Sequence, residues 1–175
     1  MKRFYNSILV LVTLLAVASI GLAGQHRNFK AVLTGDEEVP VPVVTDTTGK
    51  AKFVVNRDLT EIRFKLEIKN AFDILGVAGA HIHCAPEGAN GPVVAFLAGA
   101  IPPNGFAGKV KISAALTDGN ILATMCGATI AELVDSMVNG LTYVNVHSSS
   151  NPGGEIRGQI RLISDDNDDD DDDDD

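Results

Sequence analysis

The chain has 175 residues, 14 Lys and Arg against 23 Asp and Glu, a formal net charge of −9 and no tryptophan. Ten of the acids crowd into residues 165–175, so residues 24–164 hold 12 bases against 13 acids and are nearly neutral. A neutral body with an acidic tail lacks the basic footprint of a nucleic-acid binder, and about 140 residues suffice for one domain with one core.

Residues 1–23 read as an export signal. Lys2 and Arg3 form a positive start, Ser7 to Leu22 is almost unbroken apolar sequence, and Gly21-Leu22-Ala23 supplies small residues for cleavage. The apolar run is shorter than the roughly 20 residues that span a bilayer. The expectation is a secreted, periplasmic or cell-surface chain with no membrane span once processed; an uncleaved anchor is the competing reading. His26 follows the expected cut, in an arm before the domain.

Strand candidates then follow at 28–34, 49–55, 60–69, 77–83, 91–97, 106–113, 141–147 and 154–163. Gly, Pro and Asn clusters separate most of them. The pattern is clearest in Thr60-Glu61-Ile62-Arg63-Phe64-Lys65-Leu66-Glu67-Ile68-Lys69, where charged and apolar residues alternate with period two. Asn56-Arg57-Asp58-Leu59 before it reads as a hairpin loop. One segment near 130–139 has helical period instead: Ile130, Leu133, Val134, Met137 and Val138 share a face. Thr129 with Glu132 forms a capping box, and Gly140 is placed to end the helix. About eight short strands and one crossover helix predict an all-β Greek-key β-sandwich or barrel.

Residues 165–175, ten aspartates broken by Asn167, bury nothing and repel themselves, which predicts a disordered tail. Its carboxylates are hard oxygen ligands and could collect calcium weakly, without a loop to fix coordination.

Cys84 and Cys126 are the two cysteines. In an exported protein an even count suggests a disulfide, closing a loop of about 42 residues. A thiolate metal ligand is the alternative.

Three of the four histidines end strand-like runs, Ala80-His81-Ile82-His83 and Tyr143-Val144-Asn145-Val146-His147. Residues i and i+2 of a strand share a face. His81 and His83 therefore project together away from Ile82, and Tyr143, Asn145 and His147 project away from Val144 and Val146. This places each histidine on the polar, outer face of its strand. Imidazoles at this spacing can reach one copper or zinc ion, with His147 as a third ligand. The alternative is a structural polar network, with the rings bonded to loop backbone and Arg157 paired with Glu155, another carboxylate, or carbonyls.

Leu33-Thr34-Gly35-Asp36-Glu37-Glu38-Val39-Pro40, the two histidine runs, Gly91-Pro92-Val93-Val94 and Pro152-Gly153-Gly154-Glu155-Ile156-Arg157-Gly158-Gln159 resemble the CHRD domain, named after chordin. The resemblance covers roughly residues 28–163 and implies an extracellular β-sandwich with no settled activity. More distantly, the His-x-His strand and the later histidine strand resemble copper/zinc superoxide dismutases. That likeness would make His81, His83 and His147 copper ligands and Arg157 an anion guide; Asn145 and Glu155 are further candidates to support them. The bridging histidine and zinc cluster of those enzymes have no counterpart between 84 and 146.

No complete catalytic set is present. Ser148-Ser149-Ser150 lacks a nucleophile elbow, and adjacent Glu37 and Glu38 point opposite ways on an extended chain. The expected function is a non-enzymatic binding or envelope module, with an unidentified extracellular protein or envelope component as partner and one metal ion as accessory. A mononuclear copper protein with a redox or copper-buffering role is the alternative.

Overall fold

A computed structural model describes residues 27–74, 79–98 and 107–163. The expected export signal, His26 and the aspartate run lie outside the described residues. In chain order the elements are β1 (Arg27–Leu33), β2 (Thr48–Val55), β3 (Ile62–Ala71), β4 (Ala80–Cys84), β5 (Val93–Phe96), β6 (Gly108–Leu116), α1 (Ile130–Val138), β7 (Thr142–Val146), β8 (Ile156–Gln159) and β9 (Arg161–Leu162).

The strands form two antiparallel sheets, ordered β6-β3-β2-β1-β9 and β5-β4-β7-β8. The architecture is a sandwich and not a closed barrel. The larger sheet follows from sequence alternation. Phe29, Ala31 and Leu33 on β1, Ala51, Phe53 and Val55 on β2, and Ile62, Phe64, Leu66 and Ile68 on β3 are buried, while the intervening residues face outward. Phe53 and Phe64, directly paired across β2 and β3, meet at a centroid distance of 6.4 Å. The smaller sheet supplies Ile82, Val94, Val144, Val146 and Ile156 to the same core.

The expected strand over 154–163 is two strands. Ile160 is buried and bonds the carbonyl of Thr142, after which Arg161–Leu162 leaves the smaller sheet and pairs with β1 of the larger. The helix lies where its period placed it. Thr129 Oγ1 accepts the Glu132 N–H at 3.3 Å, and the Glu132 carboxylate takes the Ala128 N–H at 2.8 Å. Gly140, at φ 67°, ends it: its N–H bonds the Met137 carbonyl and Leu141 N–H reaches Ser136, a Schellman closure. Val138, the helix's last residue and expected on the apolar face, is exposed instead, while Met137 beside it is buried. Cys84 and Cys126 are joined in a disulfide that ties the end of β4 to the loop before α1.

Candidate metal centre

Hydrogen bonding across the smaller sheet sets His81 opposite Asn145 and His83 opposite Tyr143, with Asn145 in turn opposite Arg157 and Tyr143 opposite Gln159. All six side chains therefore share the face turned away from the hydrophobic core. The sequence places that face in water. The structure instead buries it: His81 is 5% exposed, His147 8% and Arg157 2%, with His83 half-buried. Two loops lie across it. The segment after β1 brings down Glu38, whose carboxylate receives the Asn145 amide at 3.5 Å. The β4–β5 loop brings Ala89, Asn90 and Gly91, and Asn90 ties the loops together by donating to the Val39 carbonyl at 2.9 Å. Buried polar groups need partners, and these side chains supply them to the covering backbone.

The three imidazoles converge. Their candidate ligand atoms all lie within 4.8 Å of one another, and His81 Nδ1 is 3.2 Å from His147 Nε2. Three atoms so placed share a centre less than about 3 Å from each, close to the ~2.0–2.1 Å of a zinc–imidazole bond. The hydrogen bonds also fix which nitrogen is offered. His83 Nδ1 lies 2.9 Å from the Gly91 carbonyl and His147 Nδ1 3.1 Å from that of Pro152. A carbonyl only accepts, so both rings carry their proton on Nδ1 and present a lone pair on Nε2. Such carbonyl anchoring of the distal nitrogen orients metal-binding histidines. The Nε2 atoms of His81 and His83 are buried without a hydrogen-bond partner. His147 Nε2 accepts from His81 Nδ1–H, and the two unpartnered Nε2 lone pairs beside it make a donor set suited to a cation once that bond opens.

Electrostatics agree with neutral ligands. Burial lowers the His81 pKa to about 4, helped by His147 and His83. Burial likewise lowers His83 and His147, against the raising effect of their carbonyl bonds. The rings are packed in place as well: His81 meets Phe96 edge-on at 4.9 Å, and His83 stacks on Tyr143 at 4.9 Å.

A family model for the CHRD domain matches residues 29–160. The chain belongs to the CHRD domain family. No curated protein matches it. The site thus sits inside the CHRD domain, between the histidine strand β4 and the glycine-rich approach to β8.

The residues expected to support the CHRD histidines divide. Arg157 is no exposed cation: its guanidinium bonds Asn90 Oδ1 at 2.9 Å and the Ala89 carbonyl at 2.7 Å, and lies 3.6 Å over the Tyr143 ring. It clamps the covering loop by bonding its backbone. Glu155 does not pair with Arg157. Its carboxylate accepts from the Thr45 and Ser148 hydroxyls and the Asn151 amide, fastening the loop that carries the Pro152 carbonyl. Burial opposes its charge, but these bonds outweigh burial and hold its pKa down. Ser148 is buried and committed to Glu155, and Cys84 is in a disulfide, so neither the serine run nor a thiolate joins the histidines.

Glu38 is the residue that sequence reasoning missed. It follows a short 3-10 turn at Gly35–Glu37, which exposes Glu37 and turns Glu38 inward to 6% exposure. Burial raises its pKa to about 7, although Arg157 and the Asn145 bond act in the other direction, and Oε1 has no partner. Extended-chain parity carries no sign of this turn.

Proposed function

We propose that the protein is an exported, non-enzymatic CHRD-domain module that holds one copper or zinc ion through His81, His83 and His147. The observation carrying this reading is the pairing of convergence with protonation. Three ring nitrogens lie within 4.8 Å of one another, and the distal nitrogens of two rings are bonded to carbonyls. A purely structural histidine would use its second nitrogen on another polar group; His83 Nε2 has none. The burial of the rings beneath two loops favours a held ion over one that turns over a diffusing substrate. Arg157, engaged with the loop, then acts as a clamp on the site's cover and not as an anion guide. Export is supported by the family and by the disulfide, which persists in oxidising compartments. The partner would be an extracellular protein or envelope component.

The test is elemental analysis and melting of the full chain loaded with copper or zinc. The expected result is one ion per chain and a higher melting temperature with metal, since a ligand held by the native state alone raises stability. His83→Gln should abolish both effects while preserving the strand. No stoichiometric ion, together with an unchanged melting temperature, would end the metal reading and leave a polar network.

A further inference from the structure

The outward face of the larger sheet is a lysine surface. Every lysine after Lys2 in the sequence lies on it: Lys30 on β1, Lys50 and Lys52 on β2, Lys65 and Lys69 on β3, Lys109 and Lys111 on β6. Strand register aligns three of them. Lys30 is directly opposite Lys52, and Lys52 directly opposite Lys65. Like charges so paired repel across the sheet and destabilise it. The neutrality of residues 24–164 conceals this, although Glu67 shares the face and lies directly opposite Lys50 and Lys111.

The face has little anionic cover of its own. Glu67 bonds Lys109 at 3.1 Å and Lys111 at 4.0 Å, and Glu61 bonds Arg63. Among the described residues, Lys30, Lys50, Lys52, Lys65 and Lys69 have no acidic partner within 4.0 Å. A row of lysines in central strands is more than edge protection, which needs charge only at the sheet's border.

The chain carries its own counter-charge beside this face. β9 is the edge strand next to β1, and the Ile163 N–H bonds the Asn28 carbonyl at 2.8 Å, two residues from Lys30. The next twelve residues include ten aspartates. Extended, twelve residues reach up to about 40 Å. The five strands span about 19 Å at ~4.8 Å per gap. From Ile163, at the border of the lysine face, the rest of the chain has length enough to cross it.

We infer that residues 165–175 dock on the lysine face of their own chain, crossing β1, β2 and β3 over Lys30, Lys52 and Lys65. The tail is then an intramolecular counterion for a surface that would otherwise attract outside polyanions. Tethering gives the tail an effective concentration in the millimolar range, which keeps a dilute external anion from displacing it. The contact is electrostatic and exposed, so salt must weaken it.

The test compares backbone and lysine NMR shifts of the full chain with those of a full-length variant in which Asp168 to Asp175 are changed to Asn. At low salt the differences should cluster at Lys30, Lys52, Lys65 and their strand neighbours and be unchanged on tenfold dilution. They should vanish in 1 M salt and in the surface variant Lys30→Gln/Lys52→Gln/Lys65→Gln. A short polyglutamate peptide should bind the Asn-tail variant at least about tenfold more tightly than the parent. Differences that fade on dilution would overturn the proposal in favour of the face of a second copy. No differences at low salt, or equal peptide binding by both chains, would overturn it outright.

Discussion

Gly154 is held at φ 151°, and a Cβ built there would lie 2.4 Å from the Glu38 carboxylate. Glu38 has little room to withdraw, being buried between Asn145 and the loop. Gly154→Ala should therefore cost about 1–3 kcal/mol through backbone strain and the displaced carboxylate. Gly153→Ala, next door with nothing within 4 Å of its Cβ, should cost almost nothing. Denaturant unfolding of both variants checks this; equal losses would mean that the loop, and not the Glu38 contact, sets the requirement. The same scale shows what sequence can and cannot say of the site. Strand parity identifies His81, His83 and His147 as neighbours, and the structure brings them together. It does not reveal that the His83 and His147 rings divide their work, one nitrogen for a carbonyl and the other for the centre, while His81 contacts His147 instead. Convergence and backbone anchoring read as rival outcomes in the sequence, and for His83 and His147 they occur together.

Elements were legible where one face is wet. β2 alternates strictly between exposed and buried, and its neighbour β3 does so along most of its length, so the period-two reading found them within a few residues. β7 and β8 are buried at every position, and there alternation in polarity no longer reports exposure. Alternation therefore carries no sign of the switch of sheets after Gln159, and it sets the buried histidine face in solvent. The disulfide is an element-scale device with its own consequence. It joins residues 42 apart and ties Cys84, next to His83, to the approach to α1. Replacing both cysteines by alanine should lower stability by about 2–4 kcal/mol, chiefly by freeing the unfolded chain. Urea unfolding of the oxidised parent and the double variant measures it, and coincident transitions would show that the bridge contributes nothing.

At the scale of the molecule, the polar layer outside the smaller sheet joins groups whose proton affinities move in opposite directions. The histidines are lowered by burial, His81 from 6.5 to about 4, so folding favours their neutral forms. Their contribution is present above pH about 6.5 and is lost as pH falls below it, for His81 through about 4. Glu38 is raised from 4.5 to about 7, so folding favours its protonated form. That contribution is present below pH about 4.5 and is lost as pH rises through about 7. In metal-free protein the two slopes oppose each other between about pH 4.5 and 6.5, and above 6.5 the Glu38 slope acts alone. The wild-type chain should therefore reach greatest stability near pH 6.5 and weaken toward pH 7.5, because three histidines outweigh one carboxyl below the maximum. Glu38→Gln removes the carboxyl's titration while keeping an amide in its place. Its stability should rise to pH 6.5 and then stay level. Urea midpoints from pH 4 to 8, taken in chelator, decide the matter: a variant that weakens above pH 6.5 as steeply as the parent would show that Glu38 does not carry that slope.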